Sequence, residues 1–183
     1  MKRTIAVAAA AFLVGCLSVL AWVYFSRNGT ESTTRIFGDW KQSCLSPSVA
    51  TPNCSLTQAI RQSGSGATLA DLQVVQGGDP PQFLIVVPNG VQLKSGLKLS
   101  IGNSAQMVLR YRTCNSIGCI AAMPLDAAAL ETLEGSDAGH IEVVWKDGNS
   151  IGIPFSLKGF PQGIAEFRWE SFKRDYGMER LLP

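Results

Sequence analysis

Ile141-Glu142-Val143-Val144-Trp145-Lys146-Asp147-Gly148-Asn149-Ser150-Ile151-Gly152-Ile153-Pro154-Phe155-Ser156-Leu157 decides the fold of this chain. Ile141, Val143 and Trp145 alternate with Glu142, Val144 and Lys146. Beyond Asp147-Gly148-Asn149, Ile151, Ile153, Phe155 and Leu157 alternate with Gly152, Pro154 and Ser156. Successive side chains of a strand point to opposite faces, so each run has one apolar face. Turn residues between two such runs predict a hairpin packed on one side. Pro154 cannot donate to a ladder and belongs at a sheet edge or bulge.

The same period recurs upstream. Leu97, Leu99 and Ile101 alternate with Lys98 and Ser100; Met107, Leu109 and Tyr111 alternate with Val108, Arg110 and Arg112. Phe83 to Val87 is apolar throughout and reads as a central strand. Two helical pieces interrupt the pattern. Asp126 caps a short helix to about Glu134, ended by Gly135, with Leu125 and Leu130 in the staple positions. A second starts near Pro161 and places Ile164, Phe167 and Phe172 on one stripe. Many short strands with turns every ten residues or so predict an all-β sandwich over residues 35–165, with one or two short helices. Residues 166–183 read as a charged, partly helical tail.

The 183 residues suit one domain with a core. Without Lys2 and Arg3 the chain has 14 basic and 14 acidic residues, which leaves no electrostatic footprint for nucleic acid. Its 46% hydrophobic content excludes disorder. A single histidine excludes a multi-histidine metal site, and no cofactor motif is present.

From Ile5 to Phe25 no residue is charged, a run of about 30 Å as a helix. Residues 1–25 are therefore expected to form a transmembrane signal-anchor, with Lys2 and Arg3 held in the cytoplasm. Residues 26–34, polar and small, read as a tether. Two alternatives remain: a lipoprotein box at Leu13-Val14-Gly15-Cys16 with Cys16 lipidated, and a cleaved signal peptide. The expected location is the bacterial inner membrane, single-pass, with the domain in the periplasm.

Four cysteines lie beyond that segment: Cys44, Cys54, Cys114 and Cys119. An even count in a translocated domain predicts two disulfides, and compact spacing favours Cys44–Cys54 and Cys114–Cys119. Four-thiolate zinc and free thiols are the alternatives; the C-x-x-C spacing of zinc knuckles is absent.

Three segments, in order, resemble the invasion-associated locus B family of bacterial envelope proteins. They are Phe37-Gly38-Asp39-Trp40 followed by Cys44, Cys114-Asn115-Ser116-Ile117-Gly118-Cys119, and Pro154-Phe155-Ser156-Leu157-Lys158-Gly159-Phe160. Val87-Pro88-Asn89-Gly90-Val91 and Leu97-Lys98-Leu99 match the family's style, so the resemblance covers about Phe37 to Ile164. It implies an exported, disulfide-bonded, immunoglobulin-like sandwich, preceded here by the transmembrane helix. The family's name comes from red-cell invasion by a pathogen.

Each chemical candidate competes with a plainer role. His140, after Asp137-Ala138-Gly139, reads as a solvated loop histidine; with a carboxylate it would make an envelope hydrolase. Arg110 and Arg112 share a strand face and, with Asn115 and Ser116 in the clamped loop, form the candidate partner-binding surface. Trp40, Trp145 and Trp169 read as core or sheet-packing residues. The reading is a non-enzymatic, envelope-anchored binding or accessory protein, with the membrane and an unknown envelope or host protein as partners.

Overall fold

The structure is a computed structural model and describes residues 33–44 and 54–175. They belong to one compact unit, Ser32–Pro183. The expected signal-anchor over 1–25 and the lipidation candidate Cys16 lie outside the described residues. Among those described, no helix is long and apolar enough to cross a membrane.

Among the described residues, eleven strands and two helices follow one another. The strands are β1 (Thr33–Phe37), β2 (Trp40–Cys44), β3 (Cys54–Arg61), β4 (Thr68–Val75), β5 (Gln82–Val87) and β6 (Leu97–Ile101), then β7 (Met107–Leu109), β8 (Tyr111–Cys114), β9 (Cys119–Pro124), β10 (Ala138–Val144) and β11 (Ser150–Ser156). Helix α1 (Ala127–Glu134) precedes β10, and α2 (Phe160–Asp175) follows β11. They make two antiparallel sheets, ordered β1-β2-β3-β4-β5-β9-β8 and β11-β10-β6-β7.

The hairpin forms with Ile141 opposite Ile153 and Val143 opposite Ile151. Ile141, Val143, Ile153 and Phe155 are buried, while Pro154 sits on the edge strand β11, where its missing donor matters least. Inward residues of both sheets enter one core: Leu72, Phe83 and Ile85 from the large sheet, Leu97, Leu99 and Ile101 from the small one. Five consecutive antiparallel strands and a seven-plus-four division depart from the expected immunoglobulin-like arrangement, which is a Greek key of three- and four-stranded sheets.

Helix α1 is capped as its sequence predicts. The Asp126 carboxylate accepts from the Ala129 amide at 2.9 Å, and Leu125 is buried beneath the turn. Helix α2 corrects the boundary placed at 165/166. It continues to Asp175 and buries Phe160, Ile164 and Phe167, so part of the expected tail is core. An apolar stripe at i, i+4, i+7 drives this, and full burial of Phe167 is worth about 1.5–3 kcal/mol. The side chain of Phe172 lies outside the described residues. The tether ends earlier than expected, because Thr33 and Thr34 already pair in β1.

Met107 to Arg112 is not one strand. The chain leaves the small sheet after Leu109, passes Arg110, and joins the large sheet at Tyr111. A strand that changes sheets at a bend keeps its inward phase, so alternation alone does not reveal the break.

Candidate functional site

The resemblance-bearing segments meet in two joints. In the first, the Phe37–Trp40 turn docks on the end of β11. The Asp39 amide donates to Lys158 O at 3.0 Å, Trp40 Nε1 donates to Ser156 O at 3.1 Å, and Gln58 Nε2 donates to the same oxygen at 3.0 Å. The Trp40 ring meets the edge of Phe160 with centroids 5.0 Å apart. Gly159, at φ 87°, leaves no room for a Cβ against Phe37 O. The joint thus ties β1 and β2 to β11 and the start of α2, and fits residue types that sequence alone marks only as a motif.

The two disulfides sit at opposite ends of the large sheet, and the second joint forms around Cys114–Cys119. Cys44 faces Cys54 across β2 and β3, Cys114 faces Cys119 across β8 and β9, and both pairs are disulfide-bonded. Within the second loop, Asn115 N donates to Gly118 O at 3.0 Å and Ile117 N donates to Asn115 Oδ1 at 2.9 Å. Asn89 Nδ2 reaches across from the preceding loop to Asn115 O at 2.8 Å. That loop is fastened to the small sheet by Lys146 N donating to Gly90 O and Gln92 N donating to Val144 O. Asn115 therefore shapes the loop, and Ser116 is exposed on it.

Arg110 and Arg112 do not share a strand face. Arg110 lies in the crossover between sheets. Arg112 is the extra residue of a β-bulge, because Tyr111 pairs with Ala121 and Thr113 with Ile120. Its guanidinium donates to Gln82 Oε1 at 3.1 Å. Gln82 faces Pro124, at the other end of β9 from Cys119, so Arg112 is aimed away from the clamped loop. Tyr111 between them turns inward, and burial pushes its phenol up to about 12, with no hydrogen-bond partner for its hydroxyl among the described residues.

His140 is in strand β10, not in a loop, because pairing begins at Ala138. It lines a recess of about 720 Å³ with Glu131, Thr132, Ser136 and Asp137, at the end of β6 away from the clamped loop. The imidazole lies over Gly152, whose missing side chain makes room for it. No hydrogen bond joins His140 to a carboxylate or hydroxyl among the described residues. The Ser136 hydroxyl donates to Thr132 O, and the Ser104 hydroxyl accepts from Ile101 N. The nearest charge pair is Lys98 with Glu142, where the 2.7 Å hydrogen bond from Lys98 holds the Glu142 carboxyl below its usual range. No group of three or more metal-ligating side chains gathers among the described residues. Trp40 is buried and Trp145 packs against the core, but Trp169 is 48% exposed on α2.

Sequence reasoning passed over Ile117, which is 75% exposed at the tip of the clamped loop, and Leu93, 57% exposed in a single 3₁₀ turn (Leu93–Ser95). An apolar residue between Ser and Gly inside a four-residue disulfide loop was the available signal, since so short a loop has no interior.

A family profile described as "Invasion associated locus B (IalB) protein" matches residues 40–168. Two invasion protein B homologs, from Brucella abortus strain 2308 and from Brucella abortus biovar 1 strain 9-941, are each 30% identical over 154 residues. The match covers 82% of this chain and 88% of theirs. The crystal structure of invasion associated protein B from Bartonella henselae superposes with a TM-score of 0.67 at 17% identity, over 78% of this chain and 99% of that one.

Proposed function

The chain belongs to the invasion associated locus B family, and from that premise we propose that it is a non-enzymatic binding or accessory protein of the bacterial envelope. In this reading the N-terminal run anchors it in the inner membrane and the domain works in the periplasm. The names of the Brucella and Bartonella relatives bring a role in host-cell interaction within the same proposal. The observation that carries it is the clamped loop. A disulfide and three hydrogen bonds order Asn115 to Gly118 before any partner arrives, so little entropy is lost on contact.

The test is a photo-crosslinking residue at Ser116 of the full chain in native membranes. A discrete adduct is expected there and not from a control at exposed Gln106, on the approach to β7. Equal labelling from both positions would remove the loop as the working surface.

A further inference from the structure

Strand register sorts the loops into two ends. Arg61 pairs with Thr68 where β3 turns into β4, Val87 faces Cys119, and Val91 bridges to Trp145. The loops after Arg61, Val87, Cys114 and Val144 therefore share one end. At the other end Gln82 faces Pro124, and the Leu125 amide donates to Pro81 O. The eight-residue strand β4 separates these ends by about 26 Å. Strand β1 begins at Thr33, level with Cys44 and Cys54 and hence at the second end.

Charge follows the same division. The four loops of the first end carry Arg61, Lys94 and Lys146 against Asp147, which accepts from the backbone and side chain of Asn149, and the Phe37–Trp40 turn at the same end adds one exposed carboxylate, Asp39. Recesses at the second end are lined by Asp79, Asp126, Glu131 and Glu134 with Arg168. The basic end also presents Ile117 and Leu93 from two separate loops joined by the Asn89–Asn115 hydrogen bond.

We propose that this loop end docks on an anionic phospholipid bilayer, with Ile117 and Leu93 entering the headgroup boundary between Arg61, Lys94 and Lys146. This rests on the binding function proposed for the clamped loop. Protein hot spots are enriched in Trp, Tyr and Arg set in shaped, desolvated pockets. Here the anchors are two isolated aliphatic side chains on rigid tips, which a fluid bilayer accepts without shape complementarity. Each lysine or arginine near an anionic surface adds electrostatic attraction.

Full-length chain carrying Ile117→Trp is reconstituted into phosphatidylcholine vesicles. It is then mixed with target vesicles of brominated phosphatidylcholine, with or without one-third phosphatidylglycerol. Docking and quenching of residue 117 by the target lipid are expected only with phosphatidylglycerol, and both fall as salt rises. In the native background, Ile117→Asp with Leu93→Asp weakens docking at least about tenfold while the melting temperature stays unchanged, since both residues are exposed. Quenching that is absent, or equal on neutral vesicles, overturns the lipid assignment. Absent quenching with a surviving Ser116 crosslink means the loop binds a protein instead; loss of both removes the binding function as well.

Discussion

A glycine decides whether the first joint closes. Gly159 adopts a left-handed φ of 87° and abuts Phe37 O, so a methyl group there meets both backbone strain and a collision. Gly148 has nearly the same φ, 88°, with no heavy atom near the missing Cβ. Gly148→Ala is expected to lower stability by about 1 kcal/mol and Gly159→Ala by more than about 2 kcal/mol. Urea melts of the two variants check this, and equal losses would refute the contact. Tyr111 offers a second test. Burial favours its neutral phenol, so the unfolded chain ionises near pH 10 while the folded one keeps its proton to about 12. The folded chain binds more protons in that window, and stability therefore falls as pH rises through it. Tyr111→Phe should flatten the decline above pH 10 and remove the last-titrating phenolate absorbance. It should not destabilise at neutral pH, because the buried hydroxyl has no partner to lose among the described residues.

At the scale of elements, short local signals set the helices and disulfides whereas long-range contact sets the strands' sheet membership. Asp126→Ala removes the carboxylate that accepts from Ala129 and should lower stability by about 1 kcal/mol, measured as a shift of the denaturant midpoint at constant slope. An unchanged midpoint would mean that α1 is held by Leu125 and Leu133 alone. The two disulfides clip neighbouring strands at opposite ends of the large sheet. Replacing Cys44 with Ser should cost about 2–5 kcal/mol, and non-reducing peptide maps should show Cys44 with Cys54 and Cys114 with Cys119. Strands β1 to β4 escaped the alternation reading in part because polar Gln42 and Gln58 and small Ala70 occupy buried positions. Polar or small inward residues dilute a period-two hydrophobic signal.

Over the whole molecule, a near-zero net charge conceals a basic loop end and an acidic helical end. The sum of charges carries no information about their placement, and a separated distribution steers partners by orientation. If the uncharged run anchors the chain, the full protein fractionates with membranes and its domain is digested by protease added from the periplasmic side. A soluble mature chain starting near residue 26 would contradict this. A diacylated fragment starting at Cys16 would identify a lipoprotein.

Sequence alone determined the local features: the hairpin around Asp147-Gly148-Asn149, the Asp126 cap and the compact cysteine pairs. Family membership was legible in the order of three motifs, though nothing local told that two of them build one joint. Tertiary structure decided the rest. It divided Met107–Arg112 between two sheets, buried Phe167 and Ser171 of the expected tail, and turned Arg112 toward Gln82. The reason is physical. Periodicity, caps and turns depend on neighbours a few residues apart. Sheet choice, burial and the aim of a side chain depend on contacts between residues tens of positions apart, whose proximity appears only when the core closes.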